Sequence, residues 1–234
     1  MSPELVSVIM PIWNNRTHVA DAVAGVVDQQ YEPIELILVD DGSADGSGDL
    51  ARRAAPDATY IRQSNLGSSA ARNRGVEAAA GTYLAFCDAD DRWRFPKLAR
   101  QLDLLRADPE LTAVVCRVDE IVDPGARESA RLREPRSNVV GYLPSALVIT
   151  RGAFAAIGPF DETLRVASWA AWWTRYRDLD GQFDVVEEVL VERRLHAGNA
   201  GVLLRSEVHE YLKVVAAHRR RGSSSRPPFG PGRR

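Results

Sequence analysis

The chain has 234 residues, of which 26% are charged, and its formal net charge is -2 at pH 7. A chain of this length can bury a core without disulfide or metal support, and its slightly acidic balance offers no general attraction to nucleic acid. These totals argue against a small disulfide-stabilised scaffold and favour a small ligand over a nucleic-acid duplex.

The first half of the chain alternates between two hydrophobic patterns. Short apolar runs without helical spacing are typical of strands buried on both faces, and apolar residues recurring every three or four positions are typical of amphipathic helices. The predicted strands are residues 5–12, 34–39, 59–62 and 82–87, and the predicted helices are residues 19–30, 50–55, 70–80 and 97–107. This alternation predicts an α/β fold with a mostly parallel, Rossmann-like central sheet flanked by helices.

The second half is less regular. Its predicted strands are residues 111–118, 139–149 and 185–191, and its predicted helices are residues 151–157, an aromatic helix around 169–176, and 206–218. The charged segment 123–138 reads as a mobile loop of the kind that covers a site. Residues 219–234 are basic and rich in Ser, Pro and Gly, which indicates a disordered tail after a single domain at 1–218.

The cysteines and the apolar runs indicate the cellular compartment of the protein. Cys87 and Cys116 lack the close spacing of a thiolate metal site, which suits a reducing compartment. A basic segment followed by an apolar leader is not found at the start, and no run approaches the ~18 apolar residues of a membrane span. We therefore expect a soluble, cytoplasmic protein without an integral membrane segment. The sequence leaves its oligomeric state open.

Two of the predicted strands end in carboxylates. Asp40 and Asp41 follow the second strand, and Asp88, Asp90 and Asp91 follow the fourth. Parallel strands end at one edge of a sheet, where ligands bind, so these charges need cations or hydrogen-bond donors beside them. Two carboxylates with the spacing of Asp88 and Asp90 can hold Mg²⁺ or Mn²⁺ together with a diphosphate. A solvated turn that caps the next helix has the same spacing and is the alternative.

Two further patterns concern a nucleotide. Trp13, just after the first strand, has a flat face on which a base can stack, and Asp41 can accept a hydrogen bond from a base N–H. Residues 46–51 formally fit the dinucleotide pattern GxGxxA, but the acids around them would oppose a pyrophosphate there.

Several motifs, in this order, resemble the family 2 glycosyltransferases of the GT-A fold. They are VSVIMPIWNN, ELILVDDGSADGS, NLGSSAARNRGVEAAAGTYLAFCDADDRW, AIGPFDETL and RLHAGNAG, and they span about residues 5 to 201. The resemblance implies a hexosyltransferase-like enzyme with a nucleotide-sugar donor, a UDP-sugar first of all, a divalent cation (Mg²⁺ or Mn²⁺) and inversion at the anomeric carbon. It also implies a nucleotide-sugar-binding half at 1–110 and an acceptor half at 111–218. The acceptor stays open: a glycan, a peptide, a lipid-linked or a small molecule.

The resemblance also implies roles for single residues. The matches to nucleotide-contacting positions are Pro11, Trp13 and Asp41, with Asp40 beside them. Asp88 and Asp90 match the metal motif, with Asp91 adjoining, so that Asp90 would assist the leaving group through the metal. Arg72 and Asn73 match an ARN element that either lies near the donor or packs helix against sheet.

A late segment of the chain matches the family as well. Arg194, His196 and Asn199 correspond to positions that can approach the diphosphate, while a structural role for His196 is an equal alternative.

One place departs from the family. An acid pair usually precedes the aromatic helix, and this chain has Val-Ala-Ser-Trp-Ala at 166–170 instead. An inverting transfer normally needs a carboxylate base for the acceptor hydroxyl. Either another carboxylate serves, with Asp161 and Glu162 nearest in sequence, or the acceptor is already anionic. In the third reading the chain is a catalytically impaired protein that only binds a nucleotide sugar.

Overall fold

The apolar runs form strands in the computed structural model, which describes residues 4–124, 126, 132–199 and 209–220. The strands of this part of the chain are β1 (Val6–Ile12), β2 (Ile34–Asp40), β3 (Thr59–Arg62), β4 (Tyr83–Phe86), β5 (Arg92–Trp93), β6 (Ala113–Val122), β7 (Val139–Val140), β8 (Val148–Thr150) and β9 (Phe183–Leu195). The helices are α1 (Val19–Val27), α2 (Ser47–Ala54), α3 (Ser68–Ala78), α4 (Lys97–Ala107), α5 (Arg151–Ile157), α6 (Ser168–Asp178) and α7 (His209–Arg220), and Pro144–Ala146 forms a 3-10 turn.

All of these strands join one sheet. Its order is β3-β2-β1-β4-β8-β6-β9-β5, with β7 paired to β6. The pairs among β3, β2, β1 and β4 are parallel, as is the pair of β6 with β9, whereas β8 runs antiparallel to both of its neighbours. The prediction of an α/β fold around a mostly parallel sheet is confirmed.

The register of β1 explains why the acidic strand ends share one edge. Ile12 pairs with Asp40 of β2, and Ile9 pairs with Phe86 of β4. The chain continues these ladders for one more step, because the Asp41 N–H donates to the Ile12 carbonyl at 2.8 Å and the Cys87 N–H donates to the Ile9 carbonyl at 3.0 Å. The acids after β2 and after β4 therefore lie on either side of the end of β1.

Both faces of the sheet are covered. Val8 and Met10 of β1 pack in one apolar cluster with α1 and α4, while Ile9 packs in another with the aromatic face of α6. Alternate residues of a strand point to opposite faces, so a strand covered on both sides must be apolar throughout. Gly75 lets α3 approach β1 closely, because a Cβ at this position would collide with the Ile9 side chain.

The second half of the chain departs in detail from the predicted elements. A single strand region was expected at 139–149, but β7 and β8 are separated by the 3-10 turn, where Pro144 cannot donate a ladder hydrogen bond. The last strand is longer than predicted, because it follows β6 as far as the Val122–Leu195 pair. The two-residue strand β5 was not predicted and pairs with β9.

Three predicted features lie partly outside the described residues, one of them the helix expected at 206–218, whose residues 206–208 lie outside. Of the predicted mobile loop, residues 125 and 127–131 lie outside, while 132–138 are described and contact β6. Helix α7 extends to Arg220, so the first two residues of the predicted tail are helical, and residues 221–234 lie outside. Throughout the described part, each helix is too short or too polar to cross a membrane.

Candidate functional site

Three carboxylates lie together in the turn that follows β4, which we call the acid turn (residues 88–91). Asp88, Asp90 and Asp91 each offer one oxygen atom, and these oxygens lie within 4.8 Å of one another. The Asp91 N–H closes the turn by donating to the Asp88 carbonyl at 3.0 Å. Clustered oxygen ligands suit a hard divalent cation. This donor set fits the Mg²⁺ or Mn²⁺ that the sequence predicts at Asp88 and Asp90.

The segment that follows β9 packs against the acid turn. His196 Nε2 lies 2.9 Å from Asp90 Oδ2, and the Asn199 side-chain amide donates to the same oxygen at 3.1 Å. The hydrogen bond with Asp90 raises the pKa of His196, against the opposing effect of burial. Two residues of the late motif are therefore brought to the predicted metal site.

The aspartates of the acid turn differ in their electrostatic surroundings. Burial raises the pKa of Asp90, but its bond with His196 and the charge of Arg193 lower it, and the net direction is downward. Burial and the charges of Asp90 and Asp88 raise the pKa of Asp91 well above its usual range. Three negative charges are thus not stable side by side unless positive charge or donors are supplied.

Two buried arginines are connected to the acid turn, Arg72 by its side chain and Arg194 by its backbone carbonyl through Asn199. Arg72 of α3 donates from Nη2 to Asp88 Oδ1 at 2.5 Å. Arg194 of β9 donates from Nη2 to Asp21 at 2.9 Å, and its carbonyl accepts from Asn199, the residue that contacts Asp90. Among the described residues, Arg72 Nε and Arg194 Nη1 are buried without a hydrogen-bond partner. Buried donors left unpaired are costly, so an anionic ligand that accepts from them would be favourable.

Asn73, the neighbour of Arg72, faces another part of the molecule. Its side-chain amide donates to the Phe160 carbonyl at 2.9 Å and to Glu162 at 2.8 Å, and its oxygen accepts from the Phe160 N–H at 2.9 Å. Arg72 thus contacts the acid turn, whereas Asn73 joins α3 to the loop before α6.

The end of β2 shapes the place predicted for the nucleotide. Asp41 is buried and accepts from the Gln63 side chain and from the N–H groups of Leu66 and Gly67, each at 2.8 Å. In the amide orientation that satisfies its neighbours, Asn65 donates to Asp41 at 3.3 Å and accepts from Trp13 Nε1 at 2.9 Å. Asp41 therefore holds the turn at 65–67 next to Trp13, whose side chain is exposed.

The other two predicted nucleotide residues are buried. Pro11 lies inside β1, paired with Val39. The Asp40 carboxylate accepts from the Ser43 N–H at 2.8 Å and from the Tyr60 hydroxyl at 2.7 Å. Asp40 supports the turn after β2, and its side chain does not lie on the open surface beside Trp13.

A carboxylate from a distant element lies where the acid pair is missing. Glu210 of α7 is buried and accepts from the N–H groups of Arg165, Val166 and Ala167, at 2.9 to 3.0 Å. This contact could not be predicted from the sequence, because Glu210 follows the acid-pair position by more than 40 residues and lies in no motif. The Ser168 hydroxyl, which directly follows Ala167 in the chain, accepts from the Ser69 hydroxyl of α3 at 2.7 Å.

The two carboxylates proposed as alternative bases make local contacts. Asp161 accepts from the N–H and the hydroxyl of Thr163, and these bonds lower its pKa. Glu162 accepts from Asn73. Neither contact involves the acid turn.

Comparison with known proteins identifies similar sequences. The profile of glycosyl transferase family 2 matches residues 7–160. The putative teichuronic acid biosynthesis glycosyltransferase TuaG of Bacillus subtilis is 40% identical over 106 residues, which cover 43% of this chain and 42% of that protein. An uncharacterized glycosyltransferase of Rickettsia prowazekii is 28% identical over 223 residues, covering 88% of this chain and 69% of that one. The chain thus spans less than half the length of TuaG.

Solved structures share the fold. Staphylococcus aureus TarS in complex with UDP-GlcNAc superposes with a TM-score of 0.73 at 15% identity, over 91% of this chain and 65% of that one. The mannosyltransferase PcManGT of Pyrobaculum calidifontis, in complex with GDP-Man and Mn²⁺, superposes with a TM-score of 0.69 at 20% identity, over 98% of this chain and 68% of that one.

Proposed function

Because the chain belongs to glycosyl transferase family 2 and has the GT-A fold, we propose that it transfers a sugar from a nucleotide-diphosphate sugar to an acceptor. The observation that carries this proposal is the acid turn with Arg72 bonded to Asp88, since Arg72 Nε is buried without a partner among the described residues. Acids and arginines in one place suit a ligand that is itself a cation bound to a diphosphate.

The donor nucleotide is proposed to lie between Trp13 and the acid turn. Trp13 offers an exposed ring on which the base can stack. Four donors already occupy the oxygens of Asp41, so Asp41 contributes indirectly, by holding the turn at 65–67 next to the base. A UDP-sugar is the first donor to assay, because TarS is known in complex with UDP and with UDP-GlcNAc. GDP-mannose is the second, because PcManGT is known in complex with it.

The chemistry proposed is a single displacement with inversion at the anomeric carbon. A divalent cation held by Asp88 and Asp90 would neutralise the departing diphosphate. Arg72 keeps Asp88 in place and, with Arg194, provides N–H groups for phosphate oxygens. The bond with His196 and the charge of Arg193 lower the pKa of Asp90, which suits a cation ligand.

Three described carboxylates in or beside the segments that precede α6 are engaged within the protein. Asp161, Glu162 and Glu210 are each engaged in hydrogen bonds within the protein. An acceptor whose attacking group is already anionic would need no carboxylate base, because that group has no proton to lose. Independently of the charge of the attacking group, TuaG is named for teichuronic acid biosynthesis, so teichuronic acid is the first acceptor to assay.

The test combines activity with a matched variant. Purified protein, Mn²⁺ or Mg²⁺ and a panel of UDP-sugars and GDP-mannose are incubated with and without acceptor, and released nucleoside diphosphate and product mass are measured. We expect Asp90→Ala to lower turnover by about 100-fold or more while remaining folded. The control is Asp57→Ala, which removes an exposed aspartate and should leave turnover unchanged.

Two outcomes would change the conclusion. Unchanged turnover in Asp90→Ala would remove the metal role of the acid turn. Binding of a nucleotide sugar without transfer or donor hydrolysis would favour the alternative function, a nucleotide-sugar-binding protein that lacks the acid pair at 166–170.

A further inference from the structure

A single buried serine contacts the acid turn at two points. Ser145 lies in the 3-10 turn between β7 and β8 and is fully buried. Its hydroxyl oxygen accepts from the Asp88 N–H at 3.0 Å and donates to Asp91 Oδ2 at 2.6 Å. The hydroxyl thus joins the backbone at the start of the acid turn to the carboxylate at its end.

Ser145 is itself held rigidly. Trp93 Nε1 donates to the Ser145 carbonyl at 2.9 Å, and the Gln101 side chain donates to the Ala146 carbonyl at 2.8 Å. Trp93 and Gln101 are both buried. A hydroxyl whose backbone is held by buried donors can set the position of the groups that it contacts.

The three aspartates of the acid turn differ in how far they are exposed to solvent. Asp91 is 3% exposed and is bonded to Ser145, whereas the side chains of Asp88 and Asp90 are 27% and 19% exposed. The buried carboxylate faces the protein, and the two others are open to a ligand.

We propose that Ser145 is a positioning residue for the cation site. Through Ser145, Asp91 anchors the acid turn, and Asp88 and Asp90 remain as the cation ligands. This inference rests on the proposed function, since it assigns residues around the same cation. Groups that orient metal ligands from outside typically change metal affinity by about 10- to 100-fold when they are removed.

The physical reason is the cost of unpaired groups. In Ser145→Ala, the Asp88 N–H and the buried Asp91 carboxylate both lose their partner. The turn is then free to rearrange until these groups find water or another donor, which moves Asp88 and Asp90 away from their shared geometry.

Cation affinity can be measured without any acceptor. Mn²⁺ binding to the full chain is followed by electron paramagnetic resonance of free Mn²⁺, at a temperature where thermal unfolding shows each variant to be folded. We expect Ser145→Ala to weaken Mn²⁺ binding by about 10-fold or more and Ser145→Thr, which keeps the hydroxyl, to weaken it less. The matched control is Ser137→Ala, which removes a serine-to-aspartate hydrogen bond at Asp119.

If Ser145→Ala fails to fold, a second pair of variants tests whether Asp91 anchors the turn while Asp88 binds the cation. We expect Asp91→Asn, which can still accept from Ser145, to keep Mn²⁺ affinity within about threefold, and Asp88→Asn to lose about 10-fold or more. Absence of Mn²⁺ binding in the wild type would overturn the metal part of the proposed function and this inference with it. Wild-type binding that is unchanged in Ser145→Ala, or lost equally in Asp91→Asn and Asp88→Asn, would overturn this inference alone.

Discussion

Lys97, the first residue of α4, buries its amine completely. Its Nζ has no hydrogen-bond partner among the described residues and lies 3.9 Å from the centroid of the Trp93 ring. Burial lowers the pKa of Lys97 to about 8, against the opposing influence of Cys116 and Cys87. A desolvated cation over an aromatic face gains about 2 kcal/mol, which offsets only part of the lost hydration. Charged Lys97 therefore destabilises the fold at neutral pH.

Replacing this amine should stabilise the protein. The folded pKa of about 8 lies below the unfolded value of 10.5, so the cost is complete below pH 8 and is relieved as pH rises towards 10.5. Below pH 8 that cost is about 3 kcal/mol. We expect Lys97→Met, which keeps a similar volume, to raise the free energy of unfolding at pH 7 by about 1–3 kcal/mol in urea denaturation.

The pH dependence gives a second check on Lys97. The advantage of Lys97→Met over the wild type should shrink by about 1 kcal/mol between pH 8 and pH 9. Comparing the two proteins at each pH largely cancels the titration of other groups. A variant less stable than the wild type at pH 7 would mean that the amine has a stabilising partner.

At the scale of the elements, Glu120 of β6 holds the part of the segment at 132–138 that contains Arg133 and Arg136. Glu120 accepts from Arg133 at 2.5 and 2.6 Å, from Arg136 at 2.9 to 3.3 Å and from Arg193 at 3.4 Å. Burial raises the pKa of Glu120, but the bonds from Arg133 and Arg136 outweigh it and lower the pKa to about 2. The carboxylate stays ionised and holds the segment.

Removing this charge should loosen the segment. Because the folded pKa of Glu120 is depressed from 4.5 to about 2, its contribution is present above pH 4.5 and is lost as pH falls towards 2. We expect Glu120→Gln to lower stability at pH 7 by about 1–2 kcal/mol, allowing for solvent screening of the half-exposed arginines. Glu187→Gln, at an exposed pair with Arg117, should change the urea midpoint little. Equal midpoints for both variants would contradict the anchoring role of Glu120.

Helix α7 is joined to the start of α6 by Glu210. Its carboxylate satisfies three N–H groups before the first helical turn, and the neighbouring Tyr211 hydroxyl donates to the Val166 carbonyl at 3.0 Å. A carboxylate at a helix N-terminus is also favoured by the helix dipole. These contacts fix α7 against the residues that lead into α6.

Glu210→Gln tests this connection. The amide leaves at least one backbone N–H without an acceptor, so we expect a loss of about 1–2 kcal/mol in the free energy of unfolding and faster hydrogen exchange at 165–169. Glu77→Gln, on the exposed side of α3, is the control. If hydrogen exchange at 165–169 is the same in both variants, Glu210 does not hold the start of α6.

Elements with a strong local pattern could be predicted from the sequence. Residues 59–62 and 97–107 form β3 and α4 at the predicted positions, because apolar spacing and turn residues mark both ends. The short strands β5, β7 and β8 could not be delimited, since strands of two or three residues depend on the partner strand for their hydrogen bonds. Their partners are distant in sequence.

At the scale of the whole molecule, the candidate site combines segments that only the fold brings together. The acids at the strand ends were predictable, because strand order places the ends of parallel strands on one edge. Ser145 and Glu210 were not, since each contacts its partner across the fold and has no motif around it. The presence of a serine or a glutamate in a sequence does not predict such a contact.

If these segments form one site, a single ligand should stabilise the entire fold. A ligand that binds only the folded chain adds about 2.7 kcal/mol at 100 times its Kd, which corresponds to roughly 5–10 °C in Tm for a chain of this size. We expect UDP with Mn²⁺ to raise Tm by this order and UDP alone to raise it less, because the acid turn repels an uncompensated diphosphate. In Asp90→Ala the extra effect of Mn²⁺ should vanish, while Asp57→Ala should keep it. An equal Mn²⁺ effect on Tm in both variants would mean that the cation binds outside the acid turn. If ADP with Mn²⁺ raised the Tm of the wild type as much as UDP with Mn²⁺, the place beside Trp13 would not select the base.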